Sequence, residues 1–256
     1  MRRSKPKGDN SKDKIRGDKS IIPSLSELKT TRMRSGVDDL YLRLNALYFL
    51  YDWWHAESKL EVIVGSILTQ NTNWKNVEYS ISNIKSAHVM DVDKLINMDN
   101  SSIKHLIKPS GFYNQKTNTI KELLIAIKNK YKNIENMSKM PTDELRKFLL
   151  NIKGVGNETA DSILLYAFNK PIFVIDAYTK RIMSRVYGTN KKIKYDELQS
   201  IFMNSLRSDP NVYKRMHAYF VELAKDNCTK NNPKCNSCVL KHICRHANSH
   251  NINDVS

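Results

Sequence analysis

Long hydrophobic runs are missing from this chain. Its longest apolar window, Leu60–Leu68, is interrupted by Glu61, Gly65 and Ser66. That falls short of the roughly 18 uninterrupted apolar residues of a membrane span, so no membrane partner is expected. No apolar core follows the opening Met1-Arg2-Arg3-Ser4-Lys5 either, and a secretory signal is not expected. Glycine (8) and proline (7) are sparse among 256 residues, which excludes collagen-like and Pro/Gly-rich low-complexity chains. Cysteine is limited to four residues, and without a secretory signal a disulfide scaffold is disfavoured. Negative charge is also short: 26 Asp and Glu face 42 Lys and Arg, a formal net of +16. So basic a chain calls for an acidic partner, with nucleic acid and anionic membrane as the usual kinds.

The charge is distributed along the chain. Residues 1–20 hold eight Lys or Arg and three Asp, with Ile15 the one strong apolar residue. Such a segment buries too little surface to offset its ordering entropy. Residues 1–36 therefore read as a flexible basic arm, either contacting an acidic partner or simply solvated. The other eleven net charges belong to the body. There the periodicity is helical. Leu60, Ile63, Val64, Ile67 and Leu68 follow an i, i+3, i+4 pattern, as do Ile120, Leu123, Leu124 and Ile127, and Ala160, Ile163, Leu164, Ala167 and Phe168. Val212, Met216, Tyr219, Phe220 and Leu223 form a later stripe. Turn signals fall at Lys108–Gly111, Met140–Thr142, Gly154–Gly156 and Asn169–Pro171. Ile172–Ile175 is the one strand-like run, with no evident partner. The expectation is an all-α fold of about ten short helices.

Three features carry chemistry. All four cysteines, Cys228, Cys235, Cys238 and Cys244, share one 17-residue window with spacing C-x6-C-x2-C-x5-C. A shared metal is favoured. Zinc sites pair thiolates as two short knuckles, and only Cys235 to Cys238 forms one, whereas four thiolates in one loop also suit a [4Fe–4S] cluster. The loop is basic, with Lys234 among its lysines. Second, Leu150 to Ala160 reads as helix, tight turn and new helix. Gly154 and Gly156 let backbone approach a ligand, and the following helix start offers unpaired amides to a phosphate. An ordinary helix–helix turn would look similar. Third, Asp176 comes twenty residues after Gly156, behind the apolar run. It suits either a helix N-cap or a partly buried carboxylate in a cleft.

Together the hairpin, the aspartate and the cysteine loop resemble the helix-hairpin-helix DNA glycosylases of the endonuclease III superfamily, over residues 40 to 246. The resemblance implies a two-lobed helix-hairpin-helix DNA glycosylase fold with a [4Fe–4S] cluster loop. One lobe is a helical barrel over 51–170. The other joins 37–50 to 171–246 and bears the cluster on the four cysteines, leaving 247–256 as a tail. The segment G-S-I-L-T-Q-N ending at Asn71 resembles the one whose glutamine enters DNA, giving Gln70 that role. Gly111-Phe112-Tyr113-Asn114 resembles the family's G-L-Y-N loop, with Phe112 as wedge and Asn114 beside it. Lys153, Gly154, Gly156 and Lys234 are the remaining DNA contacts expected. Asp176 stands at the family's catalytic position. Lyase members carry a lysine two residues after the second hairpin glycine, where this chain has Glu158, and a glutamate forms no Schiff base.

Trp53-Trp54-His55-Ala56-Glu57, then Leu68 to Trp74, and the G-x-E-[ST]-A-D stretch ending at Asp161 resemble the 3-methyladenine branch of the superfamily. Trp53, Trp54, Trp74 and Glu158 are thus expected around the base, although tryptophans at such positions also serve as core. The implied activity is hydrolytic, monofunctional excision of a damaged base, such as an alkylated purine, from double-stranded DNA. A monomer acting inside the cell on DNA is expected. The alternatives are an endonuclease III-type glycosylase and AP lyase for oxidised pyrimidines, and a non-catalytic DNA-binding iron–sulfur protein.

Overall fold

Apolar residues three and four apart build the helices of this protein, and short polar side chains start many of them. The structure, a computed structural model, describes residues 36–48 and 53–250. Thirteen α-helices follow one another among the described residues: α1 (Gly36–Leu47), α2 (Lys59–Leu68), α3 (Trp74–Ser86), α4 (Val92–Asn97), α5 (Asn100–Ile107), α6 (Tyr113–Tyr131), α7 (Ile134–Ser138), α8 (Thr142–Leu150), α9 (Asn157–Ser162), α10 (Ala177–Tyr187), α11 (Tyr195–Ser205), α12 (Pro210–Asp226) and α13 (Arg245–His250). Single 3-10 turns lie at Lys108–Ser110, Cys235–Ser237 and Lys241–Ile243. The all-α expectation holds. The helix number exceeds the ten expected because α4, α7, α9 and α13 have only five or six residues, too few to display a periodic stripe. The arm expected over 1–36 lies outside the described residues apart from Gly36, where α1 begins.

Side chains at Ser58, Asn73, Asp91, Asp99, Asn133, Asp176 and Asp209 each accept a hydrogen bond from an amide in the helix they start, replacing partners that a first turn lacks. Every residue of α2 from Leu60 to Leu68 is buried, so α2 is an axial helix, wrapped by α3, α6, α9 and the turn after α9. Around it, α5 packs on α3 and α6, and α8 on α9. A second group forms on α12, which packs against α1 and α10, while α13 lies on α10. The link between the groups is a contact of α12 with the turn that follows α9.

That turn departs from the expected helix. The stripe residues Ala160, Ile163, Leu164, Ala167 and Phe168 are all buried, but Ile163–Ala167 is π-helical. The wider turn rotates the residues after it relative to an α-helix, and such turns favour functional positions. Ile172–Ile175 pairs with no strand. Its polar backbone is satisfied by side chains instead: Gln199 Nε2 donates to the Phe173 carbonyl at 2.6 Å, and the Ile175 amide donates to the Tyr195 hydroxyl at 3.2 Å. Gln199 also donates to Asp161 at 2.7 Å, and Asp161, wholly buried, pairs with Arg146 at 2.7 Å. This network ties α8, α9 and α11 to the segment that delivers Asp176. Of the tail expected over 247–256, residues 247–250 belong to α13, which packs on α10 with Ala247 buried, and the rest lie outside the described residues.

The hairpin runs from the end of α8 at Leu150 to the start of α9 at Asn157, as the sequence predicts. Its two glycines do different work. Gly154 has φ +88°, and a Cβ there would lie 2.3 Å from Thr119 Oγ1, which bonds the Lys153 carbonyl at 3.1 Å. Gly156 has ordinary extended backbone and open space where its Cβ would stand. Gly154→Ala should therefore lower stability by about 2–4 kcal/mol, through strain and overpacking together, and Gly156→Ala by less than about 1 kcal/mol. Denaturant unfolding of both variants checks the contrast. Equal losses would contradict this division of roles.

Candidate active site

Asp176 occupies the N-cap of α10 and is 8% exposed. Its Oδ1 accepts the Thr179 amide at 2.6 Å, and its Oδ2 lies 3.4 Å from His217 Nε2 on α12. Burial alone would raise the carboxyl. The His217 hydrogen bond and charge, with the Thr179 amide, outweigh it and hold the group below the usual carboxylate range. The cap and the buried carboxylate are thus one residue, and the two readings of Asp176 are compatible. Behind it, the Tyr166 hydroxyl lies 2.6 Å from His217 Nδ1. Tyr166 comes from the π-helical turn, and burial, with the Asp176 charge adding, pushes its phenol well above its usual value. Neither His217 nor Tyr166 was a sequence candidate. A lone polar ring inside an apolar helical stripe was their only signal.

Rings connect this carboxylate to a pocket. Trp53 meets His217 edge-on at 5.9 Å, and Tyr166 lies 4.8 Å from Trp54 between ring centroids. Trp54 in turn meets Trp74 edge-on at 5.2 Å. The three tryptophans, His55, Gly65, Glu61 and Glu78 line a pocket of about 190 Å³. The indole N–H groups of Trp74 and Trp53 bond Glu78 and Glu222, each at 2.9 Å. Those bonds fix the rings and place negative charge at their edges. A Cβ on Gly65 would come within 3.2 Å of Trp54, so the helix must be bare there for the ring to lie close.

Glu158 does not line this pocket, contrary to the expectation. It stands in the first turn of α9, exposed, within electrostatic reach of Asp176, His217 and Lys180. The dense protein around its carboxyl raises it to about 7, and the Asp176 charge adds to the rise.

Apart from Lys234 on the cysteine loop, the residues expected to face DNA sit on three connected loops. Phe112 is 60% exposed and adopts left-handed backbone (φ 46°) directly after Gly111 (φ 67°). This strained pair turns the ring outward at the start of α6, where Asn114 is exposed too. Gln70 does not project freely. Its Nε2 donates to the Gly154 carbonyl and to Thr159 Oγ1, each at 2.9 Å, bracing the hairpin. A bare hairpin carbonyl within reach explains that difference. Lys116, missed because lysines are normally solvated, is buried and donates to the carbonyls of Leu68 (2.9 Å) and Ser110 (2.7 Å). It joins the end of α2 to the Phe112 loop, and burial brings it down to about 8. Lys153, Gly156 and Lys234 are exposed, and no side chain caps the first amides of α9.

The four cysteines are free and line one small apolar pocket with Arg185. Burial, then the neighbouring thiols, raise Cys235, and burial raises Cys238. No three metal-ligating side chains among the described residues converge on a single ion position. Two arginines of α10 hold the loop. Arg181 Nε donates to the Cys228 carbonyl at 2.9 Å. Arg185 donates to Thr229 and Lys230 carbonyls at 2.7 and 2.8 Å and to Cys228 Sγ at 3.2 Å.

Known proteins share this architecture. The HhH-GPD superfamily of base excision DNA repair proteins matches residues 64–208. A candidate DNA repair glycosylase of Methanocaldococcus jannaschii is 46% identical over 207 residues, covering 80% of this chain and 94% of its own. Endonuclease III of Sulfolobus acidocaldarius is 27% identical over 185 residues, 72% of this chain and 80% of its own. Among solved structures, the Helicobacter pylori 3-methyladenine DNA glycosylase bound to 1,N6-ethenoadenine has a TM-score of 0.66 at 30% identity, over 73% of this chain and 96% of that one. A trapped endonuclease III–DNA covalent intermediate has a TM-score of 0.70, over 85% of this chain and 99% of that one; at 18% identity it shares the fold. The family match spans more than half of the 256 residues, and the chain belongs to the HhH-GPD superfamily as an all-α DNA repair glycosylase.

Proposed function

We propose that this glycosylase excises alkylated, cationic purines such as 3-methyladenine from double-stranded DNA by hydrolysis, without cutting the strand. The observation that carries the reading is the tryptophan pocket edged by carboxylates and joined through rings to a buried, charged Asp176. Electron-rich ring faces attract a cation at about 0.5–2 kcal/mol per contact, and Glu61 and Glu78 favour the same charge. The likeness to the 3-methyladenine glycosylase supports this choice of base. Glu158, in the place of a lyase lysine, supports a monofunctional enzyme.

In this mechanism Phe112 and Gln70 fill the gap left by the flipped base, whose extrusion costs a few kcal/mol and least for a damaged pair. Gln70 would exchange its hairpin bonds for the duplex. The open backbone at Gly156 and the uncapped start of α9 take a phosphate, with Lys153, Asn114 and Lys234 as further contacts. The C1′–N bond then breaks with its electron pair going to the base. A cationic base leaves neutral, and the sugar takes the positive charge. Asp176 faces that charge. Two donors depress its basicity, so it acts chiefly by electrostatic stabilisation, while water adds to C1′ and its extra proton passes to solvent.

The proposed lobes are 51–170 and 37–50 with 171–246, and Asp176 lies just after the crossing from one to the other. The cysteine pocket fits a [4Fe–4S] cluster held by Cys228, Cys235, Cys238 and Cys244. Four sulfurs that share a pocket without converging on one point suit a cluster, which takes one thiolate per iron, better than a single tetrahedral zinc. When bound, the group would supply a rigid anchor for the basic loop rather than reaction chemistry. A monomer acting inside the cell completes the reading.

Four outcomes test it. Across a panel of damaged duplexes, the protein should release 3-methyladenine, leave strands intact and give no borohydride-trapped adduct. Asp176→Asn should slow single-turnover release by at least about 1,000-fold with damaged-DNA affinity nearly unchanged. Normal turnover by that variant would leave Asp176 as a cap alone, and a robust adduct would point to an amine such as Lys180. Anaerobically purified protein should carry about four irons with matching sulfide; stoichiometric zinc would overturn the cluster. Finally, Glu158, at about 7, is neutral below that pH and negative above it. Duplex affinity should therefore fall as pH rises through about 7, and Glu158→Gln should flatten that part of the profile. An unchanged slope in a fluorescence titration would exclude Glu158.

A further inference from the structure

Asp176 is not placed by its own helix alone. From the chain of contacts behind it we infer that Tyr166 and His217 are positioning residues that fix the Asp176 carboxylate and hold a proton against it. The inference rests on the reading of Asp176 as the catalytic carboxylate.

The geometry is confined. His217 is 6% exposed and Asp176 8%. His217 Nε2 is buried and meets no hydrogen-bond partner at ideal geometry; Asp176 Oδ2 stands 3.4 Å from it. The other ring nitrogen, Nδ1, lies 2.6 Å from the Tyr166 hydroxyl. At that distance one proton lies between the two atoms. If Tyr166 donates, Nδ1 is bare and the neutral ring carries its proton on Nε2, aimed at the carboxylate. If instead Nδ1 of a neutral ring donates, a bare Nε2 lone pair faces a carboxylate in a dry site, which is repulsive. A doubly protonated ring again has Nε2–H. Every favourable arrangement therefore donates from His217 to Asp176.

The pair also stands against the tryptophans of the pocket. Tyr166 packs on Trp54 and His217 on the edge of Trp53, while the π-helical turn brings Tyr166 to the face of α12 that carries His217. Lys214 lies 5.9 Å from the Tyr166 ring, and Glu222 anchors Trp53. One oxygen of Asp176 is taken by its helix and the other by a ring wedged between pocket walls. The carboxylate plane is thereby fixed before DNA arrives, the preorganisation on which electrostatic catalysis depends. In a Ser-His-Asp triad the carboxylate orients the imidazole; here the imidazole orients the carboxylate.

The test uses the full-length protein and duplex DNA containing 3-methyladenine. His217→Leu should reduce the single-turnover excision rate by about 100-fold, with damaged-DNA affinity within about threefold. His217→Gln, whose amide can still donate, should stay within about tenfold of the parent, and Tyr166→Phe should fall between the two. Nitrogen-detected spectra of labelled histidine, assigned by the signal lost in His217→Gln, should show a protonated Nε2 in the parent and a changed tautomer balance in Tyr166→Phe. A bare Nε2 in the parent, or unaltered excision by His217→Leu, would overturn the inference. Excision at the parent rate by Asp176→Asn would instead remove the reading of Asp176, and the spectra would still report whether the hydrogen-bonded pair exists.

Discussion

An ionised carboxylate kept almost out of water is the constraint around which this fold is arranged. Asp176 is charged where burial disfavours charge, and each neighbour answers that cost. The Thr179 amide belongs to the first turn of the helix Asp176 caps, so the positive end of α10 acts on it as well. His217 reaches it from α12. The segment leading to it has no strand partner and no helical ladder, yet Gln199 and Tyr195 satisfy its backbone, and Gln199 is itself held by the buried Asp161–Arg146 pair. Removing one partner of such a network leaves a buried group unpaired, which costs more than the bond itself contributes. The position of one carboxylate is therefore overdetermined by five helices.

The same economy governs the loops proposed to face DNA. Gln70, the hairpin and the Phe112 loop belong to separate elements, but Gln70 bonds the hairpin, and Lys116 spans the end of α2 and the Ser110 carbonyl. Thr119 packs beneath Gly154 from α6, the helix that also starts beside Phe112. A buried ammonium between two carbonyls is costly to desolvate, and its value lies in register: a shift of either loop would leave it unpaired. Phe112 can thus hold left-handed backbone, which an isolated loop would relax.

Much of this was legible in the sequence because it rests on local rules. The buried stripes of α2, α6 and α12 follow helical spacing, the hairpin boundaries at Leu150 and Asn157 follow its glycines, and Asp176 is a preferred cap. The three tryptophans line one pocket. What escaped depends on distant partners. His217 and Lys116 acquire their meaning from residues 41 and 48 positions away, and no pattern along one helix encodes such pairs. Tyr166 was hidden by a π-helical turn that periodicity reads as α. Sequence resemblance points Glu158 toward the base, and in α9 it lies within electrostatic reach of Asp176. Gln70 was assigned to DNA alone, because the carbonyl it holds in the free protein comes from a turn 84 residues later.

In the proposed reaction, selection and catalysis fall to different parts of this site, and the chemistry of a cationic base explains why. The tryptophan faces and their carboxylate edges attract the base while it carries positive charge, which is before the bond breaks. As the C1′–N bond lengthens, that charge moves to the sugar and the pocket's attraction declines. Binding that is stronger in the ground state than in the transition state raises selectivity but not rate. The acceleration must then come from a group that gains as the charge moves, and Asp176 is placed for it. A second carboxylate at full charge beside it would raise Asp176 by repulsion and weaken it as an anion. Glu158, lifted to about 7 by the surrounding protein and by Asp176 itself, carries only part of its charge near neutrality. The two acids are thus pushed apart in protonation, the pattern that lets neighbouring carboxyl groups take different roles. On the proposed reading one would stay ionised to meet the sugar, and the other would give up charge where the phosphate backbone approaches.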